Sequence, residues 1–216
     1  MKNNIIICGD SIVYGVGDNS EKGGWANRLK SIFDKENNGK TNKNYVHSIG
    51  FPSAKTTDIV ARFENICEAL HFEGTNEIII LSIGVNDTQF NGEQISDDAL
   101  KIFEENIRTL IDIAKRYSKN ILFAGLTRVG QDDDGKPFKW KEGKFFDNRI
   151  IENFDERLKE ICNENECEYL STANLLSAGQ LKDGLHPNEI GHFLLCNEVY
   201  KKIRELYIQP EDNIIR

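Results

Sequence analysis

Three short stretches bring together residue types that do chemistry. The first, Gly9-Asp10-Ser11-Ile12-Val13-Tyr14-Gly15-Val16-Gly17-Asp18, follows the apolar run Ile5-Ile6-Ile7-Cys8 and sets a serine on a glycine-rich turn. Such a turn can cradle a phosphate, present a nucleophile or reverse the chain. A P-loop needs a lysine followed by serine or threonine at the end of its glycine run, and a dinucleotide fingerprint needs G-x-G-x-x-G; neither is present. A nucleophile needs a base, a group that orients the base, and donors for an oxyanion.

The second stretch, Lys182-Asp183-Gly184-Leu185-His186-Pro187, can supply the base. Pro187 biases His186 out of the α region and suits the first position of the last helix, which would set His186 on the lip of a site. Asp183, across a bend at Gly184, can turn its carboxylate to the imidazole and fix the tautomer, leaving the other ring nitrogen to take the proton of Ser11. Taken alone, Asp-x-x-His fits a capped surface turn as well. His47, His71 and His192 lack this setting, and His192 reads as packing or surface within a helix. The third stretch, Ser82-Ile83-Gly84-Val85-Asn86-Asp87, ends the most apolar run. The Asn86 amide suits a developing oxyanion, or an Asx turn that closes the strand.

In this order, Gly9-Asp10-Ser11, Gly84-x-Asn86-Asp87 and Asp183-x-x-His186-Pro187 resemble the blocks of the GDSL or SGNH hydrolases, a superfamily of esterases, lysophospholipases, thioesterases and carbohydrate acetylesterases. The resemblance spans nearly the whole chain. It implies Ser11 as nucleophile and, through its backbone N–H, as one oxyanion donor. It further implies Asn86 as side-chain donor, His186 as base and Asp183 as its orienting partner, with no cofactor and no metal. The remaining block departs from the family: Ser48-Ile49-Gly50-Phe51-Pro52-Ser53 puts Ser53 where the donor glycine is expected and Ser48 in place of an asparagine. Pro52 has no N–H. The N–H of Ser53 is therefore the expected third donor, with Gly50 as the substitute; no base is placed for the Ser53 hydroxyl. Gly23-Gly24-Trp25 looks like the family's start of the first helix, which makes Trp25 a packing residue. The activity implied is hydrolysis of carboxylic esters or thioesters through an acyl-enzyme. An acyltransferase with the same triad, or an inactive binding module on the same fold, are the alternatives.

The elements that must position these residues are legible as alternating patterns. Apolar runs at Asn4 to Cys8, Tyr45 to Ser48, Glu77 to Ile83, Asn120 to Leu126 and Glu168 to Ser171 read as strands. Near-continuous runs such as Ile78-Ile79-Ile80-Leu81 predict strands covered on both faces. Helices are expected over Gly24 to Lys35, Thr56 to Phe72, Asp97 to Tyr117 capped by Ser96, Arg149 to Glu164 and Asn188 to Leu206. The order β-α-β-α-β-α-β-α-β-α predicts a three-layer α/β/α sandwich on a parallel sheet. The family resemblance implies five strands in flavodoxin-like order, with residues 1–216 as one hydrolase domain. Gly9 is expected to let the chain leave its strand sharply, and Gly15 and Gly17 to loosen the loop beside the pocket.

Thr127 to Asn148 is long for a connection after the fourth strand, on the side where open α/β sheets bind ligands. It reads as a solvated excursion or a substrate-side lid. Its Asp132-Asp133-Asp134 lacks the alternating oxygens and distal glutamate of a calcium loop. Phe138, Trp140, Phe145 and Phe146 could touch an acyl chain or a sugar, or anchor the loop. The pocket wall is expected around Val13-Tyr14, Phe51, Gln89-Phe90 and this excursion.

The resemblance implies a small-molecule ester as the partner, and the composition argues against other classes. A formal net charge of -8 gives no reason to approach nucleic acid or an anionic bilayer. No apolar run reaches membrane-spanning length and the amino terminus lacks a signal-peptide core, which reads as cytoplasmic. Five cysteines without C-x-x-C spacing suit reduced core thiols rather than a disulfide frame or a zinc site. Oligomeric state and acyl-chain length leave no signal.

Overall fold

The computed structural model describes residues 2–208 except Glu93, Asp133, Asp134 and Glu142; most of the acidic run weighed for calcium thus lies outside the described residues. Among the described residues there are seven strands: β1 Asn3–Gly9, β2 Asn44–Gly50, β3 Asn76–Ser82, β4 Asn120–Ala124, β5 Phe138–Lys141, β6 Lys144–Phe146 and β7 Glu168–Leu170. Five form a parallel sheet in the order β2-β1-β3-β4-β7, as expected for a flavodoxin-like fold.

The continuous apolar runs are explained by the pleat. Ile5, Ile7, Ile78, Ile80 and Leu122 point into one core, while Cys8, Ile79, Leu81, Ile121 and Phe123 point into the other. The first core is closed by α2 (Gly24–Glu36) and α6 (Glu189–Leu206) through Trp25, Leu29, Phe33, Val199 and Ile203. The second is closed by α3 (Thr56–Leu70), α4 (Ala99–Lys115) and α5 (Asn148–Glu164) through Phe63, Phe103, Leu110, Phe154 and Leu158. Every one of these side chains is essentially excluded from water, each contributing about 1.5–3 kcal/mol of transfer free energy. Truncating one to alanine would cost about 2–5 kcal/mol.

Strands β1 to β4 each begin with an asparagine, and the four amides bond in a row along the end of the sheet remote from Ser11. Asn3 Nδ2 donates to Asn44 Oδ1 at 2.7 Å, Asn76 Nδ2 to Asn3 Oδ1 at 2.9 Å, and Asn120 Nδ2 to Asn76 Oδ1 at 2.8 Å.

Two helix starts differ from expectation. Ser96 does not cap α4: its carbonyl accepts the Ala99 N–H at 3.0 Å, so residues 96–99 make a turn and Asp98 becomes the N-cap. Pro187 precedes α6 instead of opening it. Asn188 is the N-cap, its Oδ1 accepting the N–H groups of Ile190 and Gly191 at 3.0 and 3.1 Å, which an asparagine does and a proline cannot. The Thr127–Asn148 excursion is more ordered than a loop, for β5 and β6 form an antiparallel hairpin within it.

Candidate active site

Ser11 is the first residue of α1 (Ser11–Tyr14), a single turn beyond the carboxyl end of β1. Asp10 caps that turn, its Oδ1 accepting the Ile12 N–H at 2.8 Å. Gly9 is required by close approach: a Cβ there would lie 2.0 Å from the Ser82 carbonyl oxygen and 2.5 Å from Val13 Cγ2. Gly15 and Gly17 are not loose either. Both have positive φ, 98° and 96°, and a Cβ on Gly17 would sit 2.2 Å from the Pro187 carbonyl oxygen, so their flexibility is spent on fixed, left-handed turns.

The Ser11 hydroxyl lies 3.0 Å from His186 Nε2, and His186 Nδ1 lies 2.9 Å from Asp183 Oδ2. A carboxylate oxygen only accepts, so Nδ1 carries the hydrogen and Nε2 offers its lone pair to the serine O–H. Asp183 Oδ1 accepts the N–H groups of Leu185 and His186 at 3.1 and 2.8 Å, which curls residues 183–186 around the imidazole. Burial raises the Asp183 pKa, but the hydrogen bonds from the His186 N–H, its imidazole and Trp140 outweigh it and hold the carboxyl at about 2. The strand-like bonds Lys182 N–H to His186 O (2.7 Å) and Asn188 N–H to Gln180 O (2.8 Å) hold the segment against itself.

Ser53 adopts φ 66°, a left-handed conformation that glycine takes far more readily. It sits in the turn closed by Ala54 N–H to Phe51 O (3.0 Å), which is tied to β1 by Phe51 N–H to Gly9 O (2.9 Å). Among the described residues the N–H groups of Ser11 and Ser53 have no acceptor. Gly50 ends β2 opposite Gly9, where a Cβ would lie 2.2 Å from Tyr14 N; packing accounts for its being glycine. Asn86 lies in a 3-10 turn over Val85–Thr88 and gives one amide hydrogen to Ala54 O at 2.9 Å, leaving the other free to donate. Backbone N–H groups and a side-chain amide are donors of the kind that can stabilise a tetrahedral oxyanion.

Asp87 and Trp140 have partners that the sequence does not show. Asp87, quoted only as part of its block, takes the Thr56 N–H and hydroxyl at the start of α3; burial pushes its pKa to about 6 despite these bonds. Trp140 donates its indole N–H to Asp183 Oδ2 at 2.8 Å; the alternation Phe138-x-Trp140 was the available strand signal. Phe138 packs on Gly184, Phe146 is buried in the core, and Phe145 pairs with Phe90 through two backbone bonds and a ring contact at 6.0 Å. Of the expected wall near the serine, Val13 and Phe90 are buried, Phe51 and Gln89 half-buried and Tyr14 exposed. His192 is fully buried: its Nδ1 accepts the Trp25 N–H at 3.2 Å and its Nε2 donates to Val16 O at 3.0 Å. Cys8, three residues before Ser11, is no rival nucleophile, for burial pushes its thiol up to about 12. Among the described residues no three His, Cys, Asp or Glu side chains converge on a metal position.

Three solved structures with this architecture are distant in sequence. An acetylxylan esterase from Geobacillus stearothermophilus superposes with a TM-score of 0.67 over 93% of both chains at 17% identity. An alpha/beta hydrolase enzyme from the metagenome of Lake Arreo, Spain, does so at 0.66, over 92% of this chain and 93% of that one at 14% identity. A protein of the lipolytic G-D-S-L family from Desulfitobacterium hafniense gives 0.65 over 92% and 98% at 17% identity. These likenesses define the fold. Membership is given by the sequence: the GDSL-like lipase/acylhydrolase family model matches residues 7–194, and the chain belongs to that family of ester hydrolases. No curated protein sequence matches it.

Proposed function

We propose that the chain is a serine esterase acting on carboxylic esters and thioesters through an acyl-enzyme on Ser11. The observation that carries this reading is the unbroken hydrogen-bonded series from the Ser11 hydroxyl through His186 to Asp183, at 3.0 and 2.9 Å. Ser11 attacks the carbonyl carbon as His186 Nε2 takes its proton, and Asp183 stabilises the resulting imidazolium. The oxyanion is met by the N–H groups of Ser11 and Ser53 and the free amide hydrogen of Asn86. His186 then protonates the leaving alcohol or thiol. Water repeats the sequence on the acyl-enzyme, its proton going to His186 and the acid leaving as Ser11 regains its hydrogen. Five buried, unpaired thiols support a cytoplasmic setting.

A fluorophosphonate probe should label Ser11, read by peptide mass spectrometry, and Ser11→Ala should abolish both labelling and turnover of p-nitrophenyl acetate while the fold is retained. Full turnover by the alanine variant would reject the reading. Because the fold is shared with an acetylxylan esterase, acetylated sugars belong beside esters of graded chain length in the substrate screen.

A further inference from the structure

Asp183 is an unusual orienting group in that its side chain is 37% exposed, whereas that of His186 is 7% exposed. A carboxylate open to water on one side is free to rotate and to exchange its imidazole bond for solvent. Its four in-plane acceptor positions are nevertheless all used. Oδ1 takes two backbone N–H groups, and Oδ2 is shared by His186 Nδ1–H and Trp140 Nε1–H. Three of these donors belong to the turn 183–186 itself. Trp140 alone reaches in from elsewhere, 43 residues away in sequence.

The indole makes a second contact with the same pair. Its ring meets the His186 ring edge-on, centroids 5.4 Å apart and planes inclined at 71°. The hairpin that carries it is held through three of its residues. Phe138, two residues earlier, lies so close to Gly184 that a Cβ there would be 2.3 Å from the ring. Phe145 is bridged to Phe90, and Phe146 is buried. Lys141 Nζ sits 4.1 Å from the Trp140 ring centroid on the hairpin. The β5–β6 hairpin therefore delivers one N–H donor and one apolar surface to an otherwise wet carboxylate.

We propose that Trp140 is a positioning residue for the Asp183–His186 pair: its N–H occupies the Oδ2 position not used by the imidazole, and its ring keeps water from it. This rests on the reading of Ser11, His186 and Asp183 as the reacting series. Two consequences follow from the shared oxygen. Asp183 cannot rotate away from Nδ1, so the tautomer with its lone pair toward Ser11 persists. Oδ2 also divides its electron density between two donors, which limits how strongly it holds the imidazolium.

The test is Trp140→Phe, which keeps a ring on the hairpin and removes the N–H. With p-nitrophenyl acetate, kcat is expected to fall about tenfold, the rate equivalent of one hydrogen bond to a charged group, with KM within about twofold. The acid limb of the kcat/KM profile should move to higher pH, since a carboxylate with one donor fewer binds the imidazolium more tightly. In an Asp183→Asn background the same substitution should have little further effect on kcat. The downfield proton resonance of His186 Nδ1–H, which needs a folded chain but no turnover, should shift in Trp140→Phe. A raised KM with kcat, the acid limb and the resonance unmoved would make Trp140 part of the substrate wall and overturn the proposal, as would an undiminished effect in the Asp183→Asn background. Retained turnover by Ser11→Ala would instead remove the underlying reading, so the two failures are distinguishable.

Discussion

Both carboxylate oxygens of Asp87 hold Thr56. Its Oδ2 accepts the Thr56 N–H at 3.0 Å and its Oδ1 accepts the Thr56 hydroxyl at 2.5 Å, with both residues buried. The residue after Asn86 is thereby fastened to the residue two places beyond Ala54, whose carbonyl Asn86 itself engages. Two loops from different strands are locked as one body around the proposed oxyanion position.

Asp87→Ala should therefore affect both stability and rate. Leaving the buried Thr56 donors unpaired is expected to cost about 1–3 kcal/mol, measured by urea unfolding. In addition kcat for a short-chain ester should fall, because Asn86 and the Ser53 turn lose their common anchor. An unchanged kcat in a destabilised chain would show that the loops keep their places without Asp87.

Ser53 separates a backbone role from a side-chain role. Because its φ is 66°, Ser53→Gly should relieve about 1 kcal/mol of left-handed strain and raise the melting temperature, with turnover retained. Ser53→Pro removes the N–H and cannot adopt that φ, so turnover should collapse. Loss of activity in the glycine variant would mean that the hydroxyl takes part.

The buried acids set a pH dependence with a definite sign. Burial lifts Asp10 from an ordinary 3.8 to about 7, and Asp87 to about 6. Between the ordinary and the raised values the folded chain keeps protons that the unfolded chain releases, so these groups lower stability as pH rises from about 4 to about 7. Asp18 and Asp183, both held at about 2, act the other way, but only below pH about 4. Asp10→Asn keeps an oxygen for the Ile12 N–H and never ionises. Its stability relative to wild type should be level near pH 4 and grow toward pH 7 in unfolding titrations; a pH-independent difference would contradict the assignment.

The sheet was legible because a strand covered on both faces has no polar side to interrupt its apolar run, as at Ile78 to Leu81. Ser11, Asn86, Asp183 and His186 are legible as candidates because each sits at an abrupt end of a pattern, marked by glycine or proline; the structure brings their three blocks to one end of the sheet. The β5–β6 hairpin was harder to see. Its strands are short, their alternation of lysine with Phe138 and Trp140 resembles a solvated loop, and the partner of Trp140 lies in a distant block. Gly9, Gly15 and Gly17 suggest freedom in the sequence, whereas neighbours that pattern does not reveal make them points of tight contact.

The row of asparagines gives the site a scale. Strands β1, β2 and β3 each run seven residues from an asparagine to the loop that carries Ser11, Ser53 or Asn86, with Asn3 level with both Asn44 and Asn76. A strand displaced by one residue would move its loop about 3.3 Å and turn its core side chains to the wrong face. The amides at the far end thus work as the zero mark of a ruler: the spacing of the three loops is counted out in residues along the sheet, whatever the side chains near Ser11 do.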